Sequence, residues 1–198
     1  ALNYAINRHA MVIYHGGEAV AAPHCQLLPQ GAPGYEPACA YTKGASPTHP
    51  LHQWQAPDLA EARRLVRESG TAGQKVTIVA PLEGRYAAMA MELRSTLASL
   101  GYDATVRSMT QTVQLSYVQN SDNHVQLALT GWTADYPSAS SFLQTLFACA
   151  SFRPHSANSP TMSAFCNQDT AALTTIAATP ALTSPAARAQ DWAEADRP

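Results

Sequence analysis

The segment Gly131-Trp132-Thr133-Ala134-Asp135-Tyr136-Pro137 sets two aromatic rings around one carboxylate. It follows a β-rich run, Val125 to Leu129. Open α/β sheets place their ligands beyond the carboxyl ends of such strands. Two readings compete. In the first, Trp132 is core and Asp135 caps a strand-end turn. In the second, Trp132, Asp135 and Tyr136 form an aromatic platform with one charge. That platform suits a ligand with an apolar or amide body and a cationic end.

Other chemistry is harder to assemble. There is no Gly-x-Ser-x-Gly and no Gly-rich phosphate loop opening a helix. His49 and His52 sit in a Pro-rich loop, where a solvent-facing role outweighs a metal one. No metal or cofactor is expected. Glu83 and Glu92 fall on helix surfaces and read as solvated groups, not as an acid/base pair.

The four cysteines are Cys25, Cys39, Cys149 and Cys166, which allow three pairings. Cys25 and Cys39 bracket a Pro/Gly-rich loop, and Cys149 and Cys166 bracket a second irregular stretch. A zinc site fails on spacing, because no Cys-x-x-Cys is present. Two loop-closing disulfides are the favoured reading, and free thiols the alternative. A bridge across a loop of about 15 residues contributes ~3 kcal/mol in the chain-entropy model. Paired cysteines point outside the cytoplasm.

Around these residues the chain has 198 positions, 46% hydrophobic and only 13% charged, with a net charge of −2. That excludes a disordered charged tail. It leaves no electrostatic footprint for nucleic acid or an anionic membrane. No apolar run approaches the ~20 residues of a membrane span, so direct membrane insertion is not expected. The opening Ala1-Leu2-Asn3-Tyr4 lacks a start Met and a charged leader and reads as the middle of an element. A piece of a longer chain is therefore expected.

The elements that must position the site follow from periodicity. Leu2, Ile6, Ala10 and Ile13 predict one helix, stopped by Gly16-Gly17. Residues 22–57 carry seven prolines and are too long for an idle connector. Asp58, with Glu61 three residues on, starts a helix that ends at Gly70. Lys75–Ala80 reads as a strand closed by Pro81. A long helix with Tyr86, Met89, Leu93, Leu97 and Leu100 on one stripe ends at Gly101. Residues 104–108 read as a strand, 111–119 as a weak helix and 125–129 as a third strand. The alternation argues for an α/β layer with at least partly parallel strands. Further helices are predicted over 139–147, 168–178 and 185–196.

Several segments together resemble one family. Ala1 to Ala10 looks like the "ALNYAIDR-x-A" helix of family 5 extracellular solute-binding proteins, the peptide and nickel receptors of ABC importers. Leu27 to Tyr35 resembles its "LLPPG-x-PGY" loop, and Ala56 to Gly70 its "D-x-x-x-A-K-x-L-L-x-x-A-G" helix. Glu92 to Val106 resembles its "L-x-x-x-L-G-I-x-V" helix–strand pair, and Gly131 to Leu143 its "GW-x-ADYPDP-x-x-FL" segment. Ser138 stands where the family often has Asp, and Leu129 where some oligopeptide receptors place Arg.

The resemblance implies a type II periplasmic-binding-protein-like α/β fold with a small mixed sheet flanked by helices. Residues 1–198 would form the second of two lobes. It implies binding of a peptide or similar small solute, with Asp135 on the peptide's α-ammonium, Trp132 and Tyr136 lining the pocket, and no catalysis. It also implies an ABC permease as partner, no nucleic acid, and a place at the cell surface, lipid-anchored or in the periplasm. Nickel, sugar and opine receptors share the scaffold. The loop Cys25 to Cys39 with Tyr41-Thr42 resembles a subset from GC-rich bacteria, some of whose members are fused to transcriptional activators. A ligand-sensing lobe is the alternative role, and a hydrolase a more distant one.

Overall fold

The computed structural model describes residues 1–168 and 184–197. The helix predicted over 168–178 lies outside them, apart from its first residue. The chain divides into two compact units. One is Ala1–Cys25, Cys39–Leu115 and His124–Thr130; the other is Gln26–Ala38, Ser116–Asn123 and Gly131–Pro198.

The first unit holds the sheet: β1 (Lys75–Pro81), β2 (Asp103–Met109) and β3 (Leu127–Ala128) in the order β2-β1-β3. All three described strands pair in parallel. Lys75 stands opposite Asp103, Pro81 opposite Met109, Ile78 opposite Leu127 and Val79 opposite Ala128. The helix α3 (Leu59–Ser69) precedes β1, α4 (Gly84–Ser99) connects β1 to β2, and α5 (Gln111–Gln119) leads on towards β3. This is the predicted alternation, close to the predicted boundaries. The third strand is shorter than expected. The side-chain Oε1 of Gln126 accepts the Thr77 N–H at 3.1 Å, a donor that backbone pairing could otherwise use.

Ile78 and Ala80 of β1, Ala104 of β2 and Ala90, Leu93 and Leu97 of α4 form one core. The i, i+3, i+7 spacing on α4 puts its three residues on one face. Each fully buried leucine contributes about 1.5–3 kcal/mol. A second cluster joins Tyr4, Ala5, Ala62, Val66 and Leu100. Tyr41 packs edge-on against Tyr4 with ring centroids 5.3 Å apart. Helix α3 is capped as predicted: Asp58 accepts the Glu61 N–H at 3.0 Å, and Gly70 closes it at φ +65°. Glu61 does not reach back to complete a capping box; it pairs forward with Arg64.

The opening helix is two helices, α1 (Leu2–Ala5) and α2 (Arg8–His15). Ile6 turns extended at ψ 125°, and Asn7 caps α2 by accepting the Ala10 N–H at 3.1 Å. An Asn one turn into an apolar pattern competes for backbone donors and restarts the helix. The shared face breaks accordingly: Ile13 is exposed while Val12 is buried.

In the Pro-rich segment, a disulfide joins Cys25 to Cys39. The buried Thr42 hydroxyl donates to the Ala56 carbonyl and accepts the N–H groups of Gln55 and Ala56. Cys39 pairs with Leu51 in an isolated bridge. His49 and His52 are exposed, and the Thr48 hydroxyl lies 3.0 Å from His49 Nδ1.

The second unit packs Leu28, Ala139, Leu143 and Trp192 into its own core. Its described helices include α6 (Leu143–Phe147) and α7 (Pro185–Ala195). Ser184 caps α7, and Pro185 fills the first turn, where its missing N–H costs nothing. The helix predicted over 139–147 is a 3₁₀ turn, Ala139–Ser141, followed by α6. A second disulfide joins Cys149 to Cys166, and Phe147 meets Phe165 edge-on. Both local pairings read from the sequence are thus present, and no described cysteine is free.

Candidate functional site

The segment 131–141 lies within the second unit. Its organising residue is Ser141, which is fully buried. The Ser141 carbonyl accepts the indole N–H of Trp132 at 2.8 Å, and its hydroxyl accepts the backbone N–H of Asp135 at 2.9 Å. One residue therefore fixes both the ring and the main chain that carries the carboxylate. A half-buried indole needs such a partner, because an unpaired N–H would be costly.

Trp132 is half-buried, whereas Asp135 and Tyr136 are exposed. The carboxylate of Asp135 makes no hydrogen bond or ion pair among the described residues. Tyr136 Oη accepts from Ser140 Oγ at 3.1 Å, which holds a ring that is 48% exposed. Ser138 caps the 3₁₀ turn: its Oγ accepts the Ser140 N–H at 3.4 Å. Ser and Asp are interchangeable as caps, so the departure at Ser138 keeps that local function.

Leu129 continues the sheet, its N–H donating to the Val79 carbonyl at 2.9 Å. Its side chain packs on the first unit's core, and its carbonyl accepts from the buried Gln114 amide. A leucine here is a core residue.

The three predicted residues stand on one short segment. Sequence reasoning missed Ser140 and Ser141, which hold that segment in place. The available signal was a Ser-Ser pair directly before the apolar Phe142-Leu143, a position where hydroxyls are drawn into buried satisfaction of backbone groups. Among the described residues, no three His, Cys, Asp or Glu side chains gather to hold a metal ion.

Solved structures with the same fold include clavulanic acid biosynthesis oligopeptide binding protein 2, at 22% identity and TM-score 0.81, covering 99% of this chain and 34% of that one. The periplasmic binding protein DppA from Helicobacter pylori, in complex with the peptide STSA, matches at 21% and 0.76, covering 98% and 34%. The Escherichia coli murein tripeptide binding protein MppA matches at 19% and 0.74, covering 98% and 35%. The chain thus spans about a third of the length of these relatives. A comparison with curated proteins finds no match. The family model for the middle region of bacterial extracellular solute-binding proteins, family 5, matches residues 1–153. The chain belongs to family 5 of the bacterial extracellular solute-binding proteins.

Proposed function

We propose that residues 1–198 are the second lobe of a two-lobe receptor that captures a small peptide for an ABC-importer permease. Asp135 takes the peptide's α-ammonium, and Trp132 and Tyr136 line the pocket. The observation that supports this most is the state of Asp135. Its main chain is pinned through Ser141, while its carboxylate is exposed and uncommitted among the described residues. A cationic group leaving water inside a closed receptor needs such an anion. The remaining peptide backbone pairs in strand-like fashion, which tolerates varied side chains. Two of the similar structures are named for oligopeptide or tripeptide binding, and a third holds a peptide.

On this reading the protein binds and releases its ligand without chemistry and works outside the cytoplasm, where its two disulfides persist. No described helix is long and apolar enough to cross a membrane.

Calorimetry on the full-length protein tests the assignment. Asp135→Ala weakens binding of peptides with a free N-terminus by about tenfold or more, that is about 1.4 kcal/mol. Equal binding of acetylated and free peptides by the wild type overturns the role of Asp135.

A further inference from the structure

Arg8 stands at the start of α2, in the first unit, and lines an open cleft of about 360 Å³. The other walls are largely apolar: Ile6, Met11 and Val12 from the same stretch, Pro23 from the following loop, and Met89 from α4. A guanidinium carries five N–H donors in a rigid fork. Arg8 uses Nη1 on the backbone carbonyl of His24. Its Nε is buried and has no partner. None of the ion pairs among the described residues includes Arg8.

Bracing the 21–24 loop accounts for one donor only. A half-buried cation facing apolar walls with no anion is costly, and a second charge of opposite sign relieves that cost. Burial alone already pulls the Arg8 guanidinium below its ordinary range. The volume exceeds what a single water or ion needs, and methionine walls adapt to flexible apolar tails.

We propose that this cleft binds a small aliphatic monocarboxylate, its carboxylate on the Arg8 guanidinium and its tail against Ile6, Met11, Val12 and Met89. One cation matches one negative charge, and the apolar walls favour a hydrocarbon body over a polyanion. The Asp135 segment, by contrast, calls for a cationic group.

The probe is hexanoate, titrated into the full-length protein by calorimetry, with hexanamide as its neutral counterpart. Hexanoate binds, and hexanamide binds about tenfold more weakly. Arg8→Met lowers hexanoate affinity about tenfold and removes the preference for the charged ligand. Met89→Trp fills the cleft from α4 without touching Arg8 and also lowers hexanoate affinity, so the test survives if the Arg8 variant fails to fold. Equal affinity for hexanoate and hexanamide, no hexanoate binding by the wild type, or unchanged binding in Met89→Trp overturns the proposal.

Discussion

The buried carboxylate of Asp196 accepts the backbone N–H of Leu28, 168 positions earlier in the chain, at 3.1 Å. The same carboxylate takes the Leu27 N–H at 2.9 Å and the Gln26 side-chain amide at 3.3 Å. Gln26 in turn accepts the Ala38 N–H. The end of α7 thereby holds both stems of the 26–38 loop. Asp196→Ala takes this acceptor from the buried Leu28 amide and from the partly exposed Leu27 amide, and costs about 2 kcal/mol. Asp196→Asn keeps one oxygen for both amides and costs less. Urea unfolding of the two variants against wild type measures the difference, and equal stability of Asp196→Ala and wild type would refute the clamp.

Gly34 and Gly31 sit in that loop with nearly the same backbone, φ +89° and +87°. A Cβ on Gly34 would lie 2.5 Å from the Trp192 Cβ and 2.9 Å from the Ala189 carbonyl oxygen, whereas one on Gly31 would meet nothing within 4 Å. Gly31→Ala therefore carries only the left-handed backbone penalty, about 1 kcal/mol. Gly34→Ala adds overpacking of about 1–3 kcal/mol against α7. Thermal melts should rank wild type, Gly31→Ala and Gly34→Ala in that order.

Ser141→Ala removes the acceptor for the Asp135 N–H but keeps the carbonyl that holds the Trp132 indole. The expected stability loss is about 1 kcal/mol. Peptide affinity should fall several-fold, because the carboxylate must then be ordered on binding. Ser140→Ala, which removes hydroxyl contacts to Tyr136 and Ser138 but leaves the Asp135 N–H bond in place, should have the smaller effect. Parallel calorimetry on the two variants checks the ranking; a reversed order means that Tyr136, not Asp135, dominates.

The disulfides close separations of 14 and 17 residues. Each should contribute ~3 kcal/mol by restricting the unfolded chain. Reducing agent should lower the melting temperature, and the serine pair at Cys25 and Cys39 should reproduce part of that drop. Alkylation that finds four reactive thiols in the untreated protein would contradict both bridges.

Local order was legible wherever its cause was local. Asp58 and Gly70 marked both ends of α3, and the turn signals at Pro81 and Gly101 separated the strands from α4. The nearest-neighbour cysteine pairs were legible for the same reason, and the grouping of Trp132, Asp135 and Tyr136 is local by its spacing. The apolar period across Leu2–Ile13 predicted one helix where two exist, because the Asn7 side chain caps a second start. What could not be read were the satisfactions of buried polar groups at a distance. Nothing near Asp196 indicates that its partners are the amides of Leu27 and Leu28. Ser141 differs from any other serine only once the fold brings Trp132 and Asp135 to it.

The side-chain bond from Gln126 to Thr77, beside a two-residue β3, bears on folding fidelity. A strand so short has little ladder with which to choose its alignment. Sliding it by one position would break the Gln126 bond and the Leu129–Val79 pairing together, and would turn Leu127 and Leu129 away from the core. The glutamine works as a latch on register, making the misaligned sheet a state the chain leaves rather than one in which it rests.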